Sequence, residues 1–290
     1  CKALSLAWKE KPDVIHGNWI VPTGLIASLA GLLTGRPVVN TARGMDMRVS
    51  EKGFVRRLFD LAVRLSARVT VVSEAMRARP LLKDAEIIPS GVDPVFFGVQ
   101  AGGASTTVLH LRSLEPVYDA RTVLEAFASV LGRIPGARLM MVGGGSLEPF
   151  LKKLAQSLGI GPAVDFLGTV PNREVPSLMR RASIYVSASL ADGTSIALLE
   201  AIAAGLIPVV TDIEANRAHV THGKDGFLFE VKNPRGCADM LVRALTEGIS
   251  PEVLEKKRAD LARTGSWSFV AKKFINSYNE ALSSGERGRA

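Results

Sequence analysis

Asp192-Gly193-Thr194-Ser195-Ile196-Ala197-Leu198-Leu199-Glu200-Ala201-Ile202-Ala203-Ala204-Gly205 is followed closely by Pro208-Val209-Val210. The stretch reads as a polar turn, an apolar helix, a glycine stop and a strand. Thr194 or Ser195 can cap the helix, because a hydroxyl oxygen accepts one of the N–H groups that a first turn leaves unpaired. Upstream, Ile184–Ala188 reads as another strand. Strand, turn, helix and strand in that order predict a parallel βαβ unit. Two acids break the pattern. Asp192 stands at the helix mouth, and Glu200 lies about a turn and a half inside an otherwise apolar run. A carboxylate is costly to desolvate, so a buried one needs a partner or a task. Between the acids the helix N-terminus offers free N–H groups and the positive end of a dipole, which suits an anion such as a diphosphate. The competing explanation is a structural ion pair.

The same alternation extends outward. Strands are predicted at Val14–His16, Val38–Thr41, Val69–Ser73, Glu86–Ile88, Thr107–Leu111, Leu139–Gly143, Val164–Leu167, Ile184–Ala188, Val209–Thr211 and Gly226–Phe229. Helical patterns fill most gaps: 23–34, 54–66, 74–79, 120–132, 147–158, 173–181, 195–204, 235–247, 252–263 and 267–283. This is the pattern of α/β, doubly wound parallel sheets. The small, uncharged stretch 98–105 reads as a linker. It separates a first Rossmann-like domain over 1–97 from a second over 106–265, with a final helix over 266–290.

Composition narrows the function classes. Of 290 residues, 36 are basic and 28 acidic, a net charge of +8 that calls for acidic partners. The charges are dispersed, aromatics make up 6%, and no nucleic-acid motif is present, which argues against nucleic-acid binding. Cys1 and Cys237 make no disulfide framework, and no signal peptide is visible, so a reducing cytoplasm is the default expectation. The uncharged run 19–35 contains Pro22 and falls short of a normal membrane span. No Asp-x-Asp or clustered His/Cys set suggests a metal, so no cofactor is expected.

The acid pair with its Ala-x-Ala-x-Gly and Pro-Val-Val sequel resembles the signature of retaining glycosyltransferases of family 4, which have the GT-B fold of two facing Rossmann-like domains. Ile88-Pro89-Ser90-Gly91-Val92-Asp93, followed by Phe96, resembles the family's boundary motif. Leu111-Arg112-Ser113-Leu114-Glu115-Pro116 resembles its Arg-Leu-x-Pro segment. There the arginine contacts the donor diphosphate, a role a planar guanidinium suits. The family's following lysine is absent, and Val117-Tyr118-Asp119 stands in its place. Val142-Gly143-Gly144-Gly145 resembles the glycine turn near the donor, where backbone can approach a ligand. Asp165-Phe166-Leu167-Gly168-Thr169-Val170 resembles the segment whose backbone reads the nucleobase. Trp267, Phe274 and Tyr278 resemble the final helix that returns to the first domain.

The resemblance implies transfer of a sugar from a nucleotide-sugar donor with retention at the anomeric carbon, without a metal, in cell-surface polysaccharide or glycolipid synthesis. Asp192, Glu200, Arg112 and Arg43 are the expected catalytic residues. Gly143, Gly144, Val170, Gly193, Thr194, Ser195, Ile196, Glu200 and Tyr118 are expected around the donor, and His16, Arg43 and Asp46 on the acceptor side. Glu200 would bind ribose hydroxyls and Asp192 a sugar hydroxyl. The acceptor would be a sugar, a lipid-linked molecule or a small molecule. The enzyme would be cytoplasmic, and the basic charge permits docking on the inner, anionic face of a membrane. Two departures stand out: Arg43 replaces the family's usual histidine before Gly-x-Asp, and the family's first strands have no counterpart. The first domain is therefore expected to be incomplete, with an exposed sheet edge. Two other functions fit: a truncated or degenerate donor-binding chain without turnover, and a GT-B nucleotide-sugar epimerase or hydrolase.

Overall fold

The computed structural model describes residues 2–44, 53–102 and 105–287. The chain divides into two compact units, Cys1–Gly91 with Trp267–Ala290, and Val92–Ser266.

The first unit holds β1 (Ile15–Asn18), β2 (Val38–Ala42), β3 (Arg68–Val71) and β4 (Glu86–Ile87), all parallel, in the spatial order β1-β2-β3-β4. Its helices include α1 (Lys2–Glu10), α2 (Leu25–Thr34) and α3 (Gly53–Arg64). Each step moves one strand in the same direction. Right-handed crossovers therefore put α2 and α3 on the same face of the sheet. They pack together there, and Ser28 Oγ donates to the Ala62 carbonyl at 3.2 Å. Beneath them, buried Asn40 of β2 donates to Ser28 Oγ at 2.9 Å and to Ser66 Oγ at 2.8 Å. One polar side chain thus ties the sheet to the body of α2 and to the chain leaving α3. Ile20, Phe59, Val71 and Leu82 form the apolar core.

The second unit holds β5 (Thr107–Leu111), β6 (Arg138–Val142), β7 (Val164–Gly168), β8 (Ile184–Ser187), β9 (Ile207–Thr211) and β10 (Phe227–Phe229). All are parallel, in the order β10-β9-β8-β5-β6-β7. The helices are α4 (Pro94–Phe97), α5 (Ala120–Arg133), α6 (Glu148–Ser157), α7 (Val175–Met179), α8 (Ile196–Ala203), α9 (Glu214–Arg217), α10 (Pro234–Thr246) and α11 (Pro251–Gly265). Both faces of the sheet are covered. Val108, Val186 and Val209 lie in one core with α5 and α10; Leu109, Tyr185 and Val210 lie in another with α7 and α8. Burial on both faces is why these strands read as apolar runs rather than alternating ones. On α5, Ala120, Val123, Leu124, Phe127 and Val130 recur at helical spacing and are all buried. On α10, Asn233 caps the first turn by accepting from Gly236 N at 2.8 Å, with Pro234 at the start.

The last helix, α12 (Trp267–Arg287), belongs to the first unit. Gly91 lies against the Trp267 ring, and Lys273 Nζ donates to the Ile87 carbonyl at 2.9 Å. Local forms differ from expectation at three helices. The stretch 74–79 is a 3-10 turn, Glu74–Ala78. Residues 173–181 begin as a 3-10 turn, Asn172–Glu174, and widen into α7. Before α2, Ile20–Gly24 is kinked rather than continuously helical, with extended backbone at Val21 (φ −131°, ψ 130°). The first two lie over short segments where packing rather than propensity sets the turn.

Candidate active site

In the second unit the chain runs outward from β5 to β6 to β7, then returns to the other side of β5 for β8. Strand order reverses between β5 and β8. Open parallel sheets bind ligands at such a point, beyond the carboxyl ends of the strands. Arg112 leaves the end of β5, and the loop carrying Asp192 leaves the end of β8. Topology therefore brings together residues 80 positions apart.

The Arg112 guanidinium is the hub. Its Nη1 donates to Ser195 Oγ at 2.9 Å, and its Nη2 is hydrogen-bonded and ion-paired with Asp192 Oδ2. It lies over the Tyr118 ring, 4.1 Å from the centroid. So Tyr118 offers its ring face to this cation, a contact worth about 0.5–2 kcal/mol. Ser195 also caps α8, its Oγ accepting from Leu198 N at 3.2 Å. Asp192 Oδ1 accepts from Gly193 N at 2.9 Å, which closes the turn. Thr194 Oγ1 is buried with no hydrogen-bond partner among the described residues, and Ile196 is exposed at the helix start.

Glu200 lies on α8 and is partly buried. Among the described residues its carboxylate makes no hydrogen bond or ion pair. Burial, with a smaller contribution from the neighbouring charge of Asp93, raises its pKa from 4.5 to about 7. Asp93 is itself fixed as the cap of α4, accepting from Val95 N at 2.9 Å. The structural ion pair is thus found at Asp192, and Glu200 is left with an unsatisfied carboxylate.

The glycine turn after β6 supports this hub from below. A β-carbon at Gly143, whose φ is +129°, would fall on the Arg112 carbonyl oxygen, and one at Gly145 would lie 2.5 Å from that of Leu114. The close approach these glycines permit is to the loop that carries Arg112. Gly144 faces Thr169 Oγ1, and half-buried Val170 packs at the end of β7. Ser146 donates through its N–H and hydroxyl to the Glu115 carboxylate at 2.8 and 2.7 Å, which holds that acid below its ordinary pKa. Sequence reasoning missed this clamp, and also Tyr185 and His110. The buried Tyr185 hydroxyl has neither Ser187 nor Ser195 in good hydrogen-bond geometry, and burial raises its pKa. Buried His110 meets the Val186 carbonyl through Nδ1 at 3.1 Å; desolvation, opposed by that bond, lowers its pKa to about 4. A polar residue inside an apolar strand was the only available signal for either.

In the first unit, His16 Nδ1 lies 2.7 Å from Tyr278 Oη and its Nε2 lies 2.8 Å from Thr41 Oγ1. Burial, then the charge of Arg43, lowers its pKa. Both ring nitrogens are thus engaged by the fold. Arg43 donates to Asn18 Oδ1 through Nε and Nη2 at 3.3 and 3.1 Å. Asp46 lies outside the described residues. Among the described residues no three His, Cys, Asp or Glu side chains are grouped to hold a metal, and no helix is long and apolar enough to cross a membrane.

A doubly wound unit with a cation and a capped helix at its switch point is an α/β architecture suited to an anionic ligand. Residues 96–265 match the family "Glycosyl transferases group 1", and residues 2–82 match a "Glycosyl transferase 4-like domain". The chain belongs to the group 1 glycosyl transferases. It is 25% identical to N-acetyl-alpha-D-glucosaminyl L-malate synthase of Bacillus anthracis, over 96% of this chain and 76% of that protein. It is 28% identical to phosphatidyl-myo-inositol mannosyltransferase of Mycobacterium tuberculosis, over 96% and 78%. Its fold matches that of HepE from Anabaena in complex with UDP, with a TM-score of 0.82 at 17% identity, covering 96% of this chain and 81% of that one. The fold is GT-B, as the sequence predicts.

Proposed function

We propose that this glycosyltransferase moves a hexosyl group from a nucleoside diphosphate sugar to an acceptor hydroxyl with retention at the anomeric carbon, needing no metal, in glycolipid or polysaccharide synthesis. Residues 106–265 form the donor side of the proposal. The observation that carries it is the pairing of an unpartnered Glu200 carboxylate with the Arg112–Ser195 hub on the same short helix. Glu200 accepts hydrogen bonds from the ribose hydroxyls. Arg112 and the backbone N–H groups from Gly193 to Ile196 take the diphosphate, with Gly143, Gly144 and Val170 alongside. Asp192 orients a hydroxyl of the transferred sugar.

In the proposed step the bond from the anomeric carbon to the diphosphate oxygen breaks, and the diphosphate leaves with the electron pair. The acceptor oxygen bonds to the same face, and its proton passes to the departing diphosphate. Stabilisation of developing negative charge by fixed donors is the main contribution of this chain. Arg43 and Asp46 are assigned to the acceptor, a sugar, a small molecule or a lipid-linked molecule. The relative named above as a phosphatidyl-myo-inositol mannosyltransferase favours a lipid-linked one.

The test is a thermal-shift titration against UDP-, GDP- and ADP-sugars, UDP first because the HepE structure holds it, with Glu200→Ala as control. A ligand that binds only the folded chain raises its melting temperature. A shift with one nucleotide class that vanishes in Glu200→Ala supports the donor assignment; an unchanged shift in the variant rejects the role of Glu200. Proton NMR of the glycoside formed then reads the anomeric configuration, and turnover after chelation reads the metal requirement. Donor consumption without acceptor points to an epimerase or hydrolase, and binding without turnover to a degenerate chain.

A further inference from the structure

Strand β8 sends Val186 to one face of the second sheet and Tyr185 and Ser187 to the other, beneath α8. Tyr185 is fully buried there, in one core with Leu109, Leu198 and Val210. A phenylalanine would fill almost the same space. The tyrosine adds a hydroxyl that has no hydrogen-bond partner among the described residues, and a buried hydroxyl left unbonded is a cost to the fold. A cost that packing does not require points to a task.

The neighbours of the hydroxyl say what the task is. Ser195 and Ser187 lie beside it, with the charges of Arg112 and Asp192 close by. Ser195 Oγ already accepts twice, from Arg112 Nη1 at 2.9 Å and from Leu198 N at 3.2 Å. A serine hydroxyl has two acceptor positions, and here both are filled. Tyr185 can donate to Ser195 only when one of those bonds lets go. The Leu198 bond is the cap of α8. The Arg112 bond is the one an anionic ligand competes for, because a guanidinium bonds more strongly to phosphate oxygens than to a neutral hydroxyl. Ser187 is engaged elsewhere, its Oγ 3.0 Å from Ser189 Oγ. Ser195 is therefore the neighbour that a ligand can release.

We propose that Tyr185 is a positioning residue of the donor site: its hydroxyl is unpaired in the free chain and donates to Ser195 Oγ when a diphosphate draws Arg112 away. The new bond holds the first turn of α8, and with it the backbone N–H groups at the helix mouth, around the anion. It forms only in the bound state, so its whole value goes into affinity. This rests on the proposed donor site and adds a residue that does not itself touch the ligand.

The test is calorimetric titration of the full chain with UDP, GDP and ADP, beside thermal unfolding without ligand. Tyr185→Phe, Ser195→Ala and the double variant are compared with the wild type. Tyr185→Phe is expected to melt at the wild-type temperature or above it, while its Kd for the nucleotide that binds rises about fivefold to tenfold. In the Ser195→Ala background the same substitution should change the Kd no further, because the two hydroxyls act as a pair. A lower melting temperature for Tyr185→Phe overturns the proposal, since the hydroxyl would then be bonded in the free chain. Independent, additive effects of the two substitutions on the Kd overturn it as well. Wild-type binding that Tyr185→Phe retains in full leaves the donor assignment standing and sinks only this one. A wild type that binds none of the three nucleotides sinks both.

Discussion

Glu200→Gln offers the sharpest test of the site. Glu200 holds its proton up to about pH 7 when folded, against 4.5 for an ordinary glutamate. The folded chain therefore binds that proton more tightly than the unfolded chain. The resulting stability is fully present below pH 4.5, declines as pH rises, and is lost above about pH 7. A shift of this size corresponds to about 3 kcal/mol, and solvent screening of a partly buried group brings it to roughly 2 kcal/mol. Glutamine has nearly the same shape and cannot ionise. The variant should match the wild type near pH ~4 and exceed it by roughly 2 kcal/mol near pH ~8.5. For a chain of this size that corresponds to about 4–8 °C in melting temperature. Thermal unfolding of both proteins across this range, without ligand, is the assay. Asp93→Asn, which keeps an N-cap side chain but removes the charge, should recover part of the same gain. Melting curves whose separation does not change with pH would refute the reasoning, since Glu200 would then carry no unusual proton.

Three further outcomes are expected. Asp192→Asn frees Arg112 from its ion pair, so calorimetric titration should show a nucleoside diphosphate binding as tightly or severalfold more tightly, while sugar transfer falls; weaker binding would show that Asp192 supports the anion site rather than competing for it. Gly143→Ala should cost about 2–4 kcal/mol by denaturant unfolding, because alanine at that φ is strained and its methyl meets the Arg112 carbonyl. Tyr278→Phe removes one hydrogen-bond partner of His16 and should cost about 1 kcal/mol by the same measurement, with nucleotide binding unchanged.

The strands were legible because parallel strands covered on both faces must be continuously apolar and β-branched; Ile207–Thr211 is buried at every position. The long helices were legible for the complementary reason, their buried residues recurring at helical spacing, as Val123, Phe127 and Val130 do on α5. Short elements were not: Pro94–Phe97 is a single turn held by the Asp93 cap, too brief to show a period. At the site, Asp192 and Glu200 stood out because acids in apolar surroundings are anomalous. Their different fates did not show, because a sequence does not say which acid a distant arginine will reach. The partners of Arg112 come from the β5–β8 crossover, not from any local pattern. The same holds for His16, whose ring nitrogens are engaged by residues 25 and 262 positions away.

The second unit leaves the first at Val92 and ends at Ser266, and these ends are neighbours: Val92 N donates to the Gly265 carbonyl at 2.8 Å, and Val92 bridges to Ser266. It is therefore a self-contained loop spliced into another fold. A ribosome making this chain emits the β1–β4 sheet first, yet α12, which supplies Tyr278 to His16 and Lys273 to Ile87, only after all of Val92–Ser266. The unit begun first is the one completed last. During synthesis its sheet must wait without its closing helix, while the inserted unit has every strand and helix it needs to fold.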